Sequence, residues 1–415
     1  MPPPAILEGI RVLDFSRIFA APAATQMFGD LGADVIKVEE PAGGDDTRIL
    51  GVDTTKPVDL PGFSPSFLAL NRNKRSVGLD LRNPSGRDAA LRLAIACDVL
   101  VHNFRPGVMD RWGLGYEAVA KRNPRIIYCE FSAYGDRGPL AEVGANDVAV
   151  QAHSGLMSMT GPTGGEPVRC GTSVIDLTGS LAIVSGVMAA LYHRERTGEG
   201  QKIGTSLLMS SAHLMSYFYT EYWMDGTIRK PMGTANHLSV PNQTFPTSDG
   251  AVVIIAYADD MWARCVKALD AGSIDRAEYR TAAGRRRHRQ RLVADLGAVT
   301  ATMTSQEVMA RLGKVRVVVA KVNSVGEAAD HPQLAAVDGV VDFEVEGRPV
   351  RSVMAPFTLS RTPTTFRRAP PRLASDTADV LREFGFANDD IAALRNAGAF
   401  GTVESRAETE KSGAD

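Results

Sequence analysis

The chain has 415 residues, of which 44% are hydrophobic and 23% charged, and its formal net charge at pH 7 is -2. This composition is typical of a globular protein with enough core for one large or two ordinary domains. Because there is no basic excess, we do not expect a nucleic-acid partner, whose phosphate backbone would require one.

The N-terminal segment has no basic stretch followed by an apolar one, and no apolar run looks long enough to cross a bilayer. The cysteines Cys97, Cys129, Cys170 and Cys265 are widely spaced, with no CxxC pair and no histidine at metal-ligand spacing. We therefore expect a cytoplasmic protein with reduced core thiols, no metal and no membrane partner. Cys170 is an alternative nucleophile, although nothing beside it supplies a base.

Strands and helices alternate through the first half of the chain. The apolar pattern predicts strands at 10–15, 35–39, 98–101 and 126–131, with helices at 22–31, 87–95 and 117–122 between them. This order predicts an α/β fold with a Rossmann-like parallel sheet. No G-x-G-x-x-G joins the first strand to its helix, so we do not expect an NAD site.

The sequence pattern changes after residue 225, where it predicts loops, a strand at 251–256 and arginine-rich helices. This change predicts a smaller inserted α+β domain. We assign residues 1–225 to a large domain, 226–330 to a small domain, 331–403 to a return to the large domain and 404–415 to a flexible tail. The arginine cluster at 285–291 could hold phosphates, but a solvated helix face is the more ordinary interpretation.

Asp176 is the most informative single residue. It lies at the start of an apolar run that is typical of a buried helix ending at Gly198. Exposed N–H groups and the helix dipole would favour its ionised form, so Asp176 could be available at neutral pH as an oxygen nucleophile. The alternative is an ordinary helix cap, because aspartate is among the commonest N-cap residues.

Six segments resemble the family III CoA-transferases, also called the CaiB/BaiF family, over nearly the whole chain. They are LEGIRVLD, DLGADVIKVE, NRNKRS, NFRPG, SGLMSMTG and RERTGEGQ, beginning at residues 7, 30, 71, 103, 154 and 194. Each is short, but their order and coverage make the resemblance specific. It implies that Asp176 is the catalytic carboxylate and that the protein forms an interlocked homodimer.

The same resemblance implies that CoA is contacted by ten residues: Phe19, Ala20, Leu79, Asp80, Leu81, Arg82, Asn103, Phe104, Arg105 and Arg111. The arginines make physical sense, because guanidinium groups bind phosphates in a bidentate manner. For other positions a structural role is the alternative, with Leu79 as strand core and Asn103 as a turn residue. CoA and acyl-CoA would be substrates, with no tightly bound cofactor.

The implied reaction moves CoA from an acyl-CoA donor to a carboxylic acid, with a short dicarboxylic acid as a candidate. It would proceed through an aspartyl mixed anhydride and an aspartyl-CoA thioester. The oxyanions need N–H donors, for which residues 177–179 and 233–237 are the two candidates. A non-catalytic CoA-ester-binding protein, in which Asp176 only caps a helix, is one alternative.

A 2-methylacyl-CoA racemase is the other alternative. Racemases of this family place a histidine before the aspartate of a Gly-His-Asp segment, where this chain has Asn146, which cannot exchange a proton. His153 lies nearby, but we expect it to be structural. Two further departures from the family pattern are Glu40 in place of a basic residue and Asp376 in place of a histidine.

Overall fold

The computed structural model describes residues 5–51 and 60–401, so the predicted tail at 404–415 lies outside the described residues. The chain forms two compact units. The first comprises residues 1–154, 171–216 and 335–415, and the second comprises residues 155–170 and 217–334. Residues 155–170 and 217–225, which the sequence-based boundaries place in the large domain, thus group with the second unit.

A six-stranded parallel sheet organises the first unit and confirms the predicted α/β fold. Its strands are β1 (Arg11–Asp14), β2 (Asp34–Glu39), β3 (Lys74–Gly78), β4 (Val99–His102), β5 (Ile127–Ser132) and β6 (Gln201–Ser206). They lie in the order β3-β2-β1-β4-β5-β6. Because the order reverses between β1 and β4, a crevice opens at the carboxyl ends of these strands.

Helices pack against this sheet, and strands β1 to β5 are nearly continuously buried, whereas the edge strand β6 is largely exposed. The helices up to residue 214 are α1 (Ala20–Asp30), α2 (Pro65–Leu70), α3 (Pro84–Ile95), α4 (Val108–Arg111), α5 (Tyr116–Ala120), α6 (Asp147–His153), α7 (Leu156–Met159), α8 (Val174–Thr197) and α9 (Leu207–Leu214). The later helices are α10 (Ser216–Asp225), α11 (Asp259–Leu269), α12 (Ala282–Arg287), α13 (Arg289–Thr300), α14 (Ser305–Lys314), α15 (Val325–Ala329), α16 (Pro332–Ala336), α17 (Thr377–Glu383) and α18 (Asn388–Asn396).

Strand β3 was not among the strands predicted from the sequence, because it begins with charged residues. Lys74 is nevertheless fully buried, and its Nζ donates to Asp14 Oδ2 at 3.1 Å. Beside it Lys37 Nζ donates to Asp45 Oδ2 at 2.8 Å. Burial opposes the charge on Asp45, but Lys37 prevails and lowers the pKa of Asp45 to about 2. Removing either partner would leave an uncompensated buried charge, so these pairs fix the loops after β1 and β2.

The C-terminal segment belongs to the first unit and packs near the end of α1. Arg367 donates from its guanidinium to the carbonyls of Gly29 and Ala33 at the end of α1. Asn73 Oδ1 in turn accepts the N–H groups of Arg367 and Arg368. A hairpin of β10 (Val340–Val345) and β11 (Arg348–Val353) precedes these contacts.

The second unit contains an antiparallel sheet of β7 (Asn242–Thr247), β8 (Gly250–Ile255) and β9 (Val318–Lys321). Arg285, from the arginine cluster, is fully buried in this unit. Its guanidinium donates to the carbonyls of Val240, Tyr257 and Tyr279 and to Asp259. The interpretation of the cluster as a solvated helix face was therefore wrong for Arg285, which is a structural residue.

Helix α8 is 24 residues long and has a mean hydropathy of 1.9 over its most apolar window. By length and composition it could cross a membrane, so the expectation that no apolar run reaches that length was wrong. The helix contacts α1, α9, β5 and β6, and 44% of the window is buried. Buried core helices pass the same test, so one such helix is weak evidence for a membrane span.

Candidate active site

Asp176 lies in the first turn of α8, as its third residue, and is 9% exposed. Ser173 holds the N-cap position, three residues before Asp176, which the sequence had made the candidate cap. Among the described contacts, no hydrogen bond joins the Asp176 carboxylate to a backbone N–H. Asp176 is therefore inside the helix and does not cap it.

The Asp176 carboxyl is not held in its ionised form. Burial, followed by the nearby carboxylate of Asp147, raises its pKa from the usual value of 3.8 to about 7. The expectation that the helix start would favour the carboxylate at neutral pH was therefore wrong, because desolvation and a like charge outweigh the dipole.

Asp147, the first residue of α6, lies against the start of α8 and is 4% exposed. Its Oδ2 accepts the N–H groups of Ile175 at 2.8 Å and of Asp176 at 3.1 Å. Its Oδ1 accepts the side-chain amide of Gln151. Sequence reasoning missed this contact, because 29 residues separate Asp147 from Asp176.

The start of α8 has no N–H group free for an oxyanion. Val174 donates to the Thr172 carbonyl and Leu177 donates to the Ser173 carbonyl, while Asp147 takes the two between them. Thr178 and Gly179 are inside the helix, where N–H groups bond to carbonyls one turn earlier. The structure thus contradicts residues 177–179 as the oxyanion site, whereas residues 233–237 lie in the second unit and stay a prediction.

Gly179 allows α8 to approach the sheet closely beside Asp176. A Cβ at this position would lie 2.7 Å from the ring of Phe131 in β5 and 3.4 Å from Ser210 Oγ. No side chain larger than hydrogen fits there without displacing either the helix or the Phe131 ring. The position of Asp176 relative to β5 therefore depends on this glycine.

One pocket at the carboxyl ends of β1 to β3, which we call the apolar pocket, has a volume of about 210 Å³. It brings together five of the predicted CoA contacts: Leu79, Asp80, Leu81, Arg82 and Phe104. Phe15, Val38 and Trp112 complete its apolar walls. Apolar walls with charged groups at the rim suit a flat heteroaromatic ring attached to phosphates.

The second pocket, which we call the open pocket, has a volume of about 560 Å³ and is lined by Asn103, Phe104 and Arg105 together with Asn146. Phe104 thus lines both pockets. Arg105 is the one charged side chain among the described lining residues. Asn146 directly precedes Asp147, so the wall of this pocket is joined by one peptide bond to the partner of Asp176.

Asn103 has a structural role that the sequence left open. Its Oδ1 accepts the N–H of Arg17 at 2.9 Å, and its Nδ2 donates to the Arg17 carbonyl at 2.7 Å. The next residue, Ile18, has φ 73°, which is strained for a β-branched side chain. Asn103 therefore clamps the strained β1–α1 loop across the crevice between β1 and β4.

The other predicted CoA contacts are more scattered. Phe19 is the N-cap residue of α1, Ala20 is buried and Arg111 is exposed, and none of the three lines either pocket. Arg82 pairs with Asp80 at 3.0 Å and with Glu40 at 3.3 Å. Glu40, which replaces a basic residue of the family pattern, thus neutralises a neighbouring guanidinium.

The alternative hypotheses depend on the surroundings of Asn146, His153 and Cys170. Asn146 caps α6 by accepting the N–H of Ala149 at 3.1 Å. His153 is exposed at the end of α6, with its ring edge-on to Tyr134. Cys170 lies half-buried in the second unit, and the other three cysteines are buried free thiols. Within residues 5–51 and 60–401, no group of three or more His, Cys, Asp or Glu side chains could hold a metal ion.

Comparisons with known proteins identify the family of the chain. A sequence model described as CoA-transferase family III matches residues 7–377. The succinate--glutarate CoA-transferase of Agrobacterium fabrum is 35% identical over 91% of this chain and 95% of its own. The human succinyl-CoA:glutarate CoA-transferase is 35% identical over 91% of this chain and 85% of its own.

The fold also matches a solved structure, that of a CaiB/BaiF family protein from Brucella suis. The TM-score is 0.82 and the identity 32%, and the match covers 92% of this chain and 100% of the other. These matches confirm the sequence-based recognition of the family and the prediction of a CoA-transferase. Because the family model and both curated relatives span about nine-tenths of the protein, the chain belongs to CoA-transferase family III.

Proposed function

We propose that the protein transfers CoA between two dicarboxylic acids, with Asp176 as the nucleophile. The observation that carries the proposal is the buried Asp176 carboxyl, held at the start of α8 with a pKa of about 7. A carboxylate that burial has destabilised is a stronger nucleophile than one in water, yet part of it is ionised at neutral pH. The names of the relatives, which act on succinate and glutarate, point to the dicarboxylic class.

The reaction begins when an Asp176 oxygen attacks the carbonyl of the acyl-CoA thioester. The C–S bond breaks, which leaves an aspartyl mixed anhydride and CoA thiolate. The thiolate then attacks the aspartyl carbonyl, which gives an aspartyl-CoA thioester and releases the donor acid as its carboxylate. The acceptor carboxylate repeats both steps in reverse order, so that each step conserves an activated acyl group.

The two pockets hold different parts of the acyl-CoA molecule. The apolar pocket has the volume and aromatic walls for the adenine ring, with Arg17 and Arg82 at its rim for phosphates. Both arginines are paired with carboxylates, Arg17 with Asp46 and Arg82 with Asp80 and Glu40, so phosphates must compete for them. Arg105 gives the open pocket the positive charge that an anionic group of CoA requires.

A homodimer, interlocked through the inserted small domain, belongs to the same proposal. Along α8 the exposed positions include Leu177, Leu181 and Tyr192, at 42%, 44% and 66% exposure. Their spacing places them on one stripe of the helix, and an exposed apolar stripe of that length is typical of an interface. The buried free thiols of Cys97, Cys129 and Cys265 agree with the proposed cytoplasmic location.

The experiment is to incubate the purified protein with succinyl-CoA and a panel of dicarboxylic and monocarboxylic acids, and to separate the CoA esters formed. We expect new CoA esters of dicarboxylic acids, and hydroxylamine added during turnover should convert Asp176 into a hydroxamate that mass spectrometry locates. Absence of transfer to every acid, combined with rapid deuterium uptake at the α-carbon of a 2-methylacyl-CoA, would instead identify a racemase.

A further inference from the structure

We propose that Asp147 is a positioning residue, whose carboxylate holds the first turn of α8 so that Asp176 faces the thioester. This inference rests on the proposed role of Asp176 as the nucleophile. The observation behind it is the pair of hydrogen bonds from the N–H groups of Ile175 and Asp176 to Asp147 Oδ2, at 2.8 and 3.1 Å. One of these bonds reaches the backbone of the nucleophile itself.

The start of α8 depends on Asp147 because it lacks a cap of its own. Ser173 occupies the N-cap position but makes no side-chain hydrogen bond to the helix. Asp147 therefore supplies from α6 what the N-cap side chain normally supplies, and as an ionised acceptor it binds the N–H groups strongly. Without it, two buried N–H groups would lose their partners and the first turn could unwind.

The orientation of Asp147 is itself fixed by α6. Gln151, one turn later, donates its amide to Asp147 Oδ1. Asn146, which precedes Asp147, caps α6 through the N–H of Ala149. Because Asn146 also lines the open pocket, a ligand in that pocket lies against the segment that positions Asp176.

Asp147 also changes the chemistry of Asp176. It takes the two N–H groups that could otherwise stabilise the charge on Asp176, and its own charge opposes the ionisation of that residue. None of the other titratable groups on the elements packed against α8 shifts the pKa of Asp176. These groups are Asp30 on α1, His153 on α6, Tyr128, Cys129 and Glu130 on β5, Lys202 on β6 and His213 on α9.

The test compares Asp147→Ala, which removes the acceptor, with Asp147→Asn, which keeps an acceptor oxygen but removes the charge. We expect Asp147→Ala to lower kcat by about 100-fold, since misplacing a reacting group by about 1 Å costs that much. KM for the acyl-CoA should change by less than about threefold, because the pockets are untouched. Asp147→Asn should recover most of kcat and move the acid limb of the pH profile to lower pH.

The matched control is Asp249→Ala in the second unit. Asp249 Oδ1 also accepts a backbone N–H at a helix start, that of Ser305 in α14, at 2.7 Å. We expect this variant to lower the melting temperature in the manner of Asp147→Ala while kcat stays unchanged. If Asp147→Ala does not fold, Gln151→Met, which leaves Asp147 free to rotate, takes its place with a smaller loss of kcat.

Wild-type kcat in folded Asp147→Ala, or equal kcat losses in the Ala and Asn variants with an unchanged pH profile, would overturn the inference. Single-turnover formation of the Asp176 hydroxamate separates this result from a failure of the proposed function. If the wild-type protein forms the adduct and Asp147→Ala forms it equally fast, only the positioning role fails. If the wild-type protein forms no adduct, the nucleophile was misassigned.

Discussion

The starts of helices α1 and α8 lie at the same edge of the parallel sheet but are completed in opposite ways. Helix α1 follows the carboxyl end of β1, and α8 ends three residues before β6 begins, so both helix starts lie at the carboxyl edge. At α1 no described hydrogen bond takes the N–H groups of Phe19, Ala20 or Ala21, whereas at α8 every first-turn N–H is occupied.

The two helix starts therefore differ in how well they stabilise a negative charge. Open N–H groups at a helix start favour an anion, and the CoA contacts at Phe19 and Ala20 stay a prediction. The occupied start of α8 offers no such stabilisation, so the carboxylate of Asp176 stays high in energy and reactive.

The largest expected effect is that of Asp176→Asn on activity. The amide keeps the shape of the carboxyl and leaves the start of α8 closed, but it cannot form the mixed anhydride. We expect CoA transfer to fall by at least about 1,000-fold while the dissociation constant for CoA, measured by calorimetry, changes little. Near wild-type transfer by this variant would contradict the nucleophile and would leave α8 with a structural role only.

The same substitution should stabilise the protein in a pH-dependent way. The pKa of Asp176 is about 7 when folded and 3.8 ordinarily, so ionisation opposes folding increasingly from about pH 4 to pH 7 and fully above it. Removing the carboxyl should raise the free energy of unfolding by about 4 kcal/mol at most at pH 8 and by little at pH 4. Urea denaturation at both pH values measures this difference, with exposed Asp379→Asn as the control.

Gly179→Ala tests the close packing of α8 on the sheet. The new methyl group would overlap the ring of Phe131, so we expect a loss of about 1–3 kcal/mol in stability, with a lower kcat as Asp176 shifts. Gly186→Ala on the same helix is the control, because its Cβ would meet only the Cγ2 methyl group of Ile203, at 3.1 Å. Equal stabilities of the two variants in thermal melts would show that the approach to Phe131 is not required.

Asn103→Ala tests the loop before the start of α1 and has the smallest expected effect. Loss of both hydrogen bonds to Arg17 should let the strained loop before α1 relax, which we expect to weaken CoA binding by about tenfold with little change in kcat. The matched control is Asn123→Ala, whose amide similarly bridges the carbonyls of Ile95 and Cys97. A change in kcat without a change in CoA affinity would assign Asn103 to the chemistry of α8 instead.

Much of the architecture could be predicted from the sequence, because it is encoded locally. The apolar runs of β1, β2, β4 and β5 are buried on both faces and need no distant partner to be recognised. The apolar run after Asp176 predicted α8 and its end at Gly198, where φ is 81°. Strand β3 escaped prediction because the burial of Lys74 depends on Asp14, which lies 60 residues earlier.

The order and chemistry of its local segments identified the family and the parallel sheet, and they made Asp176 the candidate nucleophile. The protonation of Asp176, in contrast, depends on the tertiary structure. Its elevated pKa, the occupied N–H groups around it and the clamp of Asn103 on Arg17 all arise from side chains that are distant in sequence. Desolvation and hydrogen bonding depend on which groups folding brings within a few ångströms, and no local pattern records that distance.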